Sequence, residues 1–432
     1  MRGAGERMTD GDAVGDAVGD AAGEDGLEAL CAAVAAHDYV AAEALVEAGA
    51  DPDRVLADGT TPLLRAVEGG SPAVVRALLG DDARLRLPET ERARLLEAAR
   101  WWYEEGAQAR LRRLTGEAGP ARTAWAGETE CEGVPEVVLG GRSVRAGHGA
   151  VLTLLEWEFR VLAPVAELVA RGVRFPEEEH VDRSASLHVL NSRRSAHTWA
   201  EAVAFRHDRD PRRRAFTVDV VRQQLWFLSQ TAHAVWYEKE CKRILVEWEP
   251  GETDAEVLGG VLGALAETDV PGLDDIGLRR AAHPDPGVRR RVPGLFRPPL
   301  SPDVRRALRD LCRDGDGAVR ASAAGVLAGE PGEEDRELLS DLLRDPDPEV
   351  VRRTVRALGW AADGPPETAE LLLRCLDSAD PDVRLSAAYG LAVRDDPRTP
   401  GAYARIGPLG PEYEHDHRAD GLWRWRHRNE TD

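Results

Sequence analysis

The stretch D-P-D-P-E-V-V-R-R, residues 345–353, decides the fold, because its first valine returns at a fixed interval. Val257, Val288, Val319 and Val350 are spaced by 31, 31 and 31 residues, and Val383 follows after 33. The surrounding text repeats with them: H-P-D-P-G-V-R-R at 283–290, D-G-D-G-A-V-R-A at 314–321 and D-S-A-D-P-D-V-R-L at 377–385. Such spacing encodes two helices per unit. An Asp caps the second helix, Pro occupies its first turn in the copies at 286, 348 and 381, where a missing N–H is tolerated, and the valine faces the stack. Asp210-Pro211 opens an earlier unit in the same style, and Thr198–Phe205 supplies its first helix.

These units resemble HEAT repeats, specifically the short bacterial variety related to the lyase repeats of phycobilin attachment. The resemblance implies a HEAT-like α-solenoid over residues 181–398, with room for about six units. It also implies that the arginine after the valine bonds carboxylates near neighbouring helix starts. Arg289, Arg320 and Arg384 match that place, whereas Val351 does not and leaves Arg352 one residue late.

A different period, 33 residues, governs the first part of the chain. Asp25, Gly26, Leu30, Ala33 and Leu45 recur as Asp58, Gly59, Leu63, Ala66 and Leu78, and in part as Leu96, Ala99 and Leu111. In the middle copy, Asp58-Gly59 supplies a tight turn, Thr61 caps the next helix and Pro62 sits at its first position. After Gly70 breaks that helix, Val74, Val75, Leu78 and Leu79 form the apolar stripe of a second one. One such unit cannot bury its stripe alone, so units must stack. The copy D-G-T-T-P-L-L-R-A-V-E-G-G-S-P-A-V-V-R-A-L-L, 58–79, resembles the ankyrin repeat. Leu64 stands where that family usually has His, and Tyr103 replaces the glycine equivalent to Gly70 in a degenerate third copy. The resemblance implies ankyrin-like repeats over residues 25–175. An insertion at 115–149, rich in Gly, Thr, Glu and Pro, interrupts them as a loop or irregular hairpin, and Ala150–Val173 then reads as a divergent fourth unit.

The expected fold class is therefore all-α: an ankyrin-like helical array, in which short hairpins are allowed, followed by the HEAT-like α-solenoid. Residues 1–24, with a duplicated G-D-A-V, read as a disordered low-complexity tail. Residues 399–432 form a C-terminal cap or tail; their G-L-W-R-W-R-H-R-N at 421–429 either covers the last repeat or is offered to a partner. The 432 residues carry a net charge of −21, which repels phosphate backbones, disfavours nucleic acid and suits basic partners. No apolar run approaches the ~20 residues that span a bilayer, and the acidic N-terminus is unlike a signal peptide, so no membrane contact and a cytoplasmic location are expected. Cys31, Cys131, Cys241, Cys312 and Cys375 are scattered without a C-x-x-C pair and read as small core hydrophobes. Lys239 and Lys242 are the sole lysines, a bias that reflects a GC-rich bacterial genome.

No phosphate loop, dinucleotide fingerprint, H-E-x-x-H or G-x-S-x-G occurs, so no catalytic residue, cofactor or metal is assigned. Glu414, His415, Asp416 and His417, with His427, read as a solvated polar tail, and Glu177–Glu179 as a solvated linker. His233 and His283 stand isolated. Two groups are candidate binding residues. Trp101, Trp102 and Tyr103 fall at the turn between two ankyrin helices, where they either anchor a partner or pack beneath the insertion. Arg289 and Arg290, like the Arg206–Arg214 cluster, either line a groove or pair with acids inside the scaffold. The resulting reading is a noncatalytic protein-protein interaction scaffold with a repeat-built concave surface and a protein partner of unknown identity. The alternative is a HEAT-like enzyme: a DNA glycosylase acting on alkylated bases, or a phycobilin lyase or isomerase.

Overall fold

The structure, a computed structural model, describes residues 23–80, 82–227, 234–361 and 365–430. The expectations for the tail up to residue 22 and for His233 lie outside the described residues. The chain divides into two compact units, Met1–Gln223 and Gln224–Asp432. Helices dominate both, and no helix among the described residues is long and apolar enough to cross a membrane.

In the N-terminal unit the first helices of successive pairs, Glu24–Ala36, Pro62–Gly69 and Glu89–Glu105, pack side by side. Local chemistry fixes where they begin and end. The Thr61 hydroxyl accepts from the Leu64 N–H at 3.1 Å, with Pro62 in the first turn, and Gly70 closes the helix in the left-handed region at φ 74°. Ser71 then caps Pro72–Leu79. Leu63, Val67, Val75 and Leu78 are at most 1% exposed, and burying each such side chain contributes about 1.5–3 kcal/mol. With Tyr103 where the middle copy has a glycine, Glu89–Glu105 runs on until Gly106, where φ is 83°.

The helix His148–Glu158 packs against both Glu89–Glu105 and Pro72–Leu79. It thus completes the pair begun by Glu89–Glu105, a place the sequence reading did not give it. The chain leaves the stack after Gly106, makes the helix Ala107–Thr115 and a small sheet, and returns at His148. That sheet, expected as a loop or irregular hairpin, is three antiparallel strands in the order β1-β2-β3: β1 (Arg122–Gly127), β2 (Gly133–Leu139) and β3 (Arg142–Arg145). Gly140 and Gly141, at φ 58° and 74°, make the two-residue turn that allows the third strand. Val165–Gly172 and Val181–Ser192 follow, packed on each other, and Val181–Ser192 also packs on His148–Glu158.

The C-terminal unit is the more regular. Its second helices, Ala255–Ala266, Pro286–Arg291, Gly317–Leu327, Pro348–Trp360 and Pro381–Val393, form a row in which each touches the next. Asp254, Asp285, Asp316, Asp347 and Asp380 each accept a backbone N–H at the helix start, as the spacing requires. Val257, Val288, Val319, Val350 and Val383 are all 2% exposed or less. His417–Glu430 extends the row against Pro381–Val393, with Leu422 and Trp425 in the shared core. Cys241, Cys312 and Cys375 are buried, and burial pushes each thiol up to about 12. Cys131 departs from the core expectation: it is exposed, in the short link between β1 and β2, where no helix stripe carries it inward.

Candidate functional site

Trp101, Trp102 and Tyr103 are consecutive on one helix, so each points about 100° away from the last and the three share no face. Trp102 is 2% exposed and stacks on His148, rings 4.8 Å apart and 4° from parallel. It packs with Leu111, Val137, Leu139 and Val144, under the sheet. Tyr103 is half-buried; its carbonyl accepts from Arg174 at 2.5 Å and its ring lies 4.3 Å from that guanidinium. Trp101 alone turns outward, 46% exposed, with the Arg110 guanidinium 3.3 Å above its ring.

The sheet bears on the turn between the two helices of the middle ankyrin pair. A Cβ on Gly70 would stand 2.0 Å from the Arg145 carbonyl oxygen. The His148 ring nitrogen Nε2 lies 3.1 Å from the Glu68 carbonyl oxygen, and burial lowers the imidazole to about 4. Glu128, 2% exposed, accepts from the Ser71 hydroxyl at 2.7 Å and the Ala73 N–H at 3.2 Å, and Arg145 pairs with it at 2.5 Å. A carboxylate from the insertion thus sits at the start of an ankyrin helix, where unpaired N–H groups and the helix dipole favour negative charge.

Two further buried acids hold the same unit together. The Asp182 carboxylate accepts from the Ala150 N–H at 2.6 Å, near the start of His148–Glu158, and burial raises it to about 7. Beside it His180 accepts the Asp182 N–H at 3.1 Å and stacks on Phe175; burial lowers it to about 4. Glu156 and Arg171, both 2% exposed, pair at 2.5 Å, and Arg171 also donates to the Thr153 hydroxyl. Each group is fixed by helix starts or a neighbouring charge.

In the C-terminal unit Arg289 grips Asp314 through both carboxylate oxygens, at 2.7 and 2.9 Å, and donates back to the carbonyls of His283 and Pro284. Arg320 repeats this with Asp345, at 2.8 Å twice, and with the Asp314 carbonyl. These guanidiniums hold Asp314 and Asp345 below the usual carboxylate range. Arg352, displaced by one residue, reaches Asp380 through a single contact at 3.2 Å. Arg384 finds the Ile406 carbonyl in place of an acid. Arg289 is therefore engaged inside the scaffold, while the adjacent Arg290 points out into solvent. Arg213 pairs with Asp208, and Arg214 donates to the Asp208 carbonyl. Of the tail acids and histidines, Asp416 is held by Arg418, and His417 lies against Trp360. His283 accepts from the Asp285 N–H.

Sequence reading missed Glu128, whose partners are 55 and 57 residues away, and Trp360, which sits on a repeat helix without a periodic counterpart. The structure does not bring the two candidate groups to one place within either unit: Trp101–Tyr103 belongs to the first and Arg289–Arg290 to the second.

Residues 278–359 and 305–392 match the family of HEAT repeats, and residues 30–79 match ankyrin repeats (many copies). Among solved structures the chain is similar to YibA of Escherichia coli, at 16% identity over 57% of this chain and 98% of that one, with a TM-score of 0.39. It is also similar to an engineered protein, at 20% identity over 53% and 94% of the two chains, with a TM-score of 0.27. No curated protein matches. The chain thus carries ankyrin repeats near its N-terminus and HEAT repeats in its C-terminal half, and is a repeat-built helical scaffold.

Proposed function

We propose that this scaffold is noncatalytic and cytoplasmic, and that it holds a partner protein on a concave face built from its repeats. The change of repeat type falls at 175–181 in this reading, across the exposed Glu177–Glu179. The observation that carries it is the way the HEAT stack satisfies its own charges. Arg289, Arg320, Asp314 and Asp345 are bonded to one another along the row, so they stiffen the stack and leave its outer side chains as the surface that differs from repeat to repeat. A preformed surface of this kind binds without a large ordering entropy. Trp101 and Arg290, the outward members of the two candidate groups, are the contacts assigned to it.

The test is carboxylate-directed cross-linking of the full chain in its native cells, followed by mass spectrometry, since lysine is nearly absent. The reading expects one protein joined repeatedly to the repeats, and loss of its capture when either array is removed. Capture that persists with a C-terminal tail fragment alone rejects it.

A further inference from the structure

We infer that the face formed by Trp360, Tyr389 and the outer side of His417–Glu430 docks an acidic segment of a partner protein. This rests on the scaffold reading and adds the chemistry of what is held.

Three neighbouring helices of the HEAT row build the face: Pro348–Trp360, Pro381–Val393 and His417–Glu430. Trp360 ends the first and is 53% exposed. Its ring stacks on His417, 5.3 Å away at 27°, and meets Tyr389 edge-on at 5.5 Å and 68°. Tyr389 also meets His417 edge-on, at 6.0 Å and 90°, so the three rings form one packed cluster from which the Trp360 indole stands out.

The last helix supplies the charge. Leu422 and Trp425 point into the core, and Arg418 is held by Asp382 and Asp416. His417, Arg424 and Arg428, spaced i, i+7 and i+11, therefore fall on one stripe away from that buried side. Arg424 and Arg428 are exposed, with no hydrogen bond or ion pair among the described residues. Asp420 is the one acid near that stripe, and residues 421–429 beyond it contain three arginines and a histidine without an acid, in a chain of net charge −21. Arg356, one turn before Trp360 and 53% exposed in its side chain, reaches Asp382 at 3.3 Å, an acid already taken by Arg418. Two of the three helices that carry the ring cluster thus also carry exposed arginines, Arg356 on the first and Arg424 and Arg428 on the last.

An apolar side chain covering Trp360, with carboxylates on either side of it, complements this arrangement; Trp and Arg are the residues that most often dominate protein interfaces. The local charge reverses the preference for basic partners that the whole-chain charge suggests. It does so over a short range only, because screening confines exposed charges to about 8–10 Å. A short acidic protein segment fits within that range, whereas a nucleic acid extends into the field of the acidic remainder.

The experiment uses the full chain and three labelled probes of equal length, a Glu/Leu peptide, a Lys/Leu peptide and single-stranded DNA, followed by fluorescence anisotropy. The Glu/Leu peptide is expected to bind, more weakly as salt rises. The double variant R424E/R428E is expected to weaken it at least ~10-fold, and W360A to weaken it comparably, with unchanged circular dichroism and Tm. Arg424 and Arg428 are exposed and hold nothing among the described residues, so R424E/R428E decides the matter even if W360A loses stability with its ring contacts. Absent Glu/Leu binding, equal or tighter binding of the Lys/Leu peptide or DNA, or affinity unmoved by R424E/R428E overturns the assignment. A partner cross-linked elsewhere on the repeats would at the same time leave the scaffold reading standing, and no cross-linked partner at all would remove that reading instead.

Discussion

The two units solve one problem, tying stacked helices together, in opposite ways. The C-terminal unit uses short-range devices: in every repeat of the row an Asp two or three residues from the N–H it caps, and in two of them an Arg 25 residues from the Asp it grips. The N-terminal unit uses single, deeply buried groups recruited across the sequence. Glu128 serves Ser71, His148 meets Glu68 and Asp182 serves Ala150, over 57, 80 and 32 residues. A periodic device distributes stability in small equal amounts. A unique buried group concentrates it, because an uncompensated charge in the interior is far more costly than a lost surface contact.

The sharpest break of this contrast is Arg171→Met. It leaves the buried Glu156 with only the half-exposed Arg100 as a partner, and is expected to remove about 3–5 kcal/mol from the N-terminal unit. Urea unfolding should show that unit melting early with the HEAT transition in place; a joint shift of both would mean that the units share one cooperative fold. Next, Gly70→Ala demands both a left-handed φ and space held by the Arg145 carbonyl. A loss of about 2 kcal/mol or more is expected in thermal or chemical denaturation, against a gain of about 1 kcal/mol for the same change at an open helix position.

The third prediction concerns pH. Asp182 is raised to about 7 in the folded chain, above the 3.8 of an ordinary aspartate. Between those values the folded state holds a proton that the unfolded state has released. Its contribution is thus full below about pH 4, falls by about 1.4 kcal/mol per pH unit, and is gone above about pH 7. Asp182→Asn keeps the acceptor for Ala150 and should remove that slope; parallel wild-type and variant profiles from pH 4 to 7 would refute the protonated Asp182. On the periodic side, Asp347→Ala removes one of five equivalent caps and is expected to cost about 1 kcal/mol in the HEAT transition alone. Arg290→Ala, which touches nothing that holds the stack, should change stability by less than about 0.5 kcal/mol while lowering partner cross-linking.

The same contrast explains what could be read from residues alone. Arg289 was legible as an intra-scaffold group, and Arg352 as its displaced counterpart, through the resemblance to HEAT repeats, which implies that the arginine after the valine bonds a carboxylate. A one-residue shift leaves the guanidinium one 3.2 Å contact to the next repeat in place of two. Glu128 carried no such signal, since one glutamate among 77 acidic residues has no spacing to betray it. Trp360 was hidden for a related reason: its equivalents in the flanking repeats are Gly329 and Val393, so periodicity marks the helix and is silent about its outer face.

Spacing alone determined the two repeat types, the helix starts at Thr61 and at the capping aspartates, and the inward valines, since these follow from backbone geometry and burial within one or two units. Folding in three dimensions decided that the insertion becomes a sheet seated on Gly70, that His148–Glu158 pairs with Glu89–Glu105, and that Trp101, Trp102 and Tyr103 part company. Those outcomes depend on groups far apart in the chain competing for the same buried space, and no local period records which of them wins.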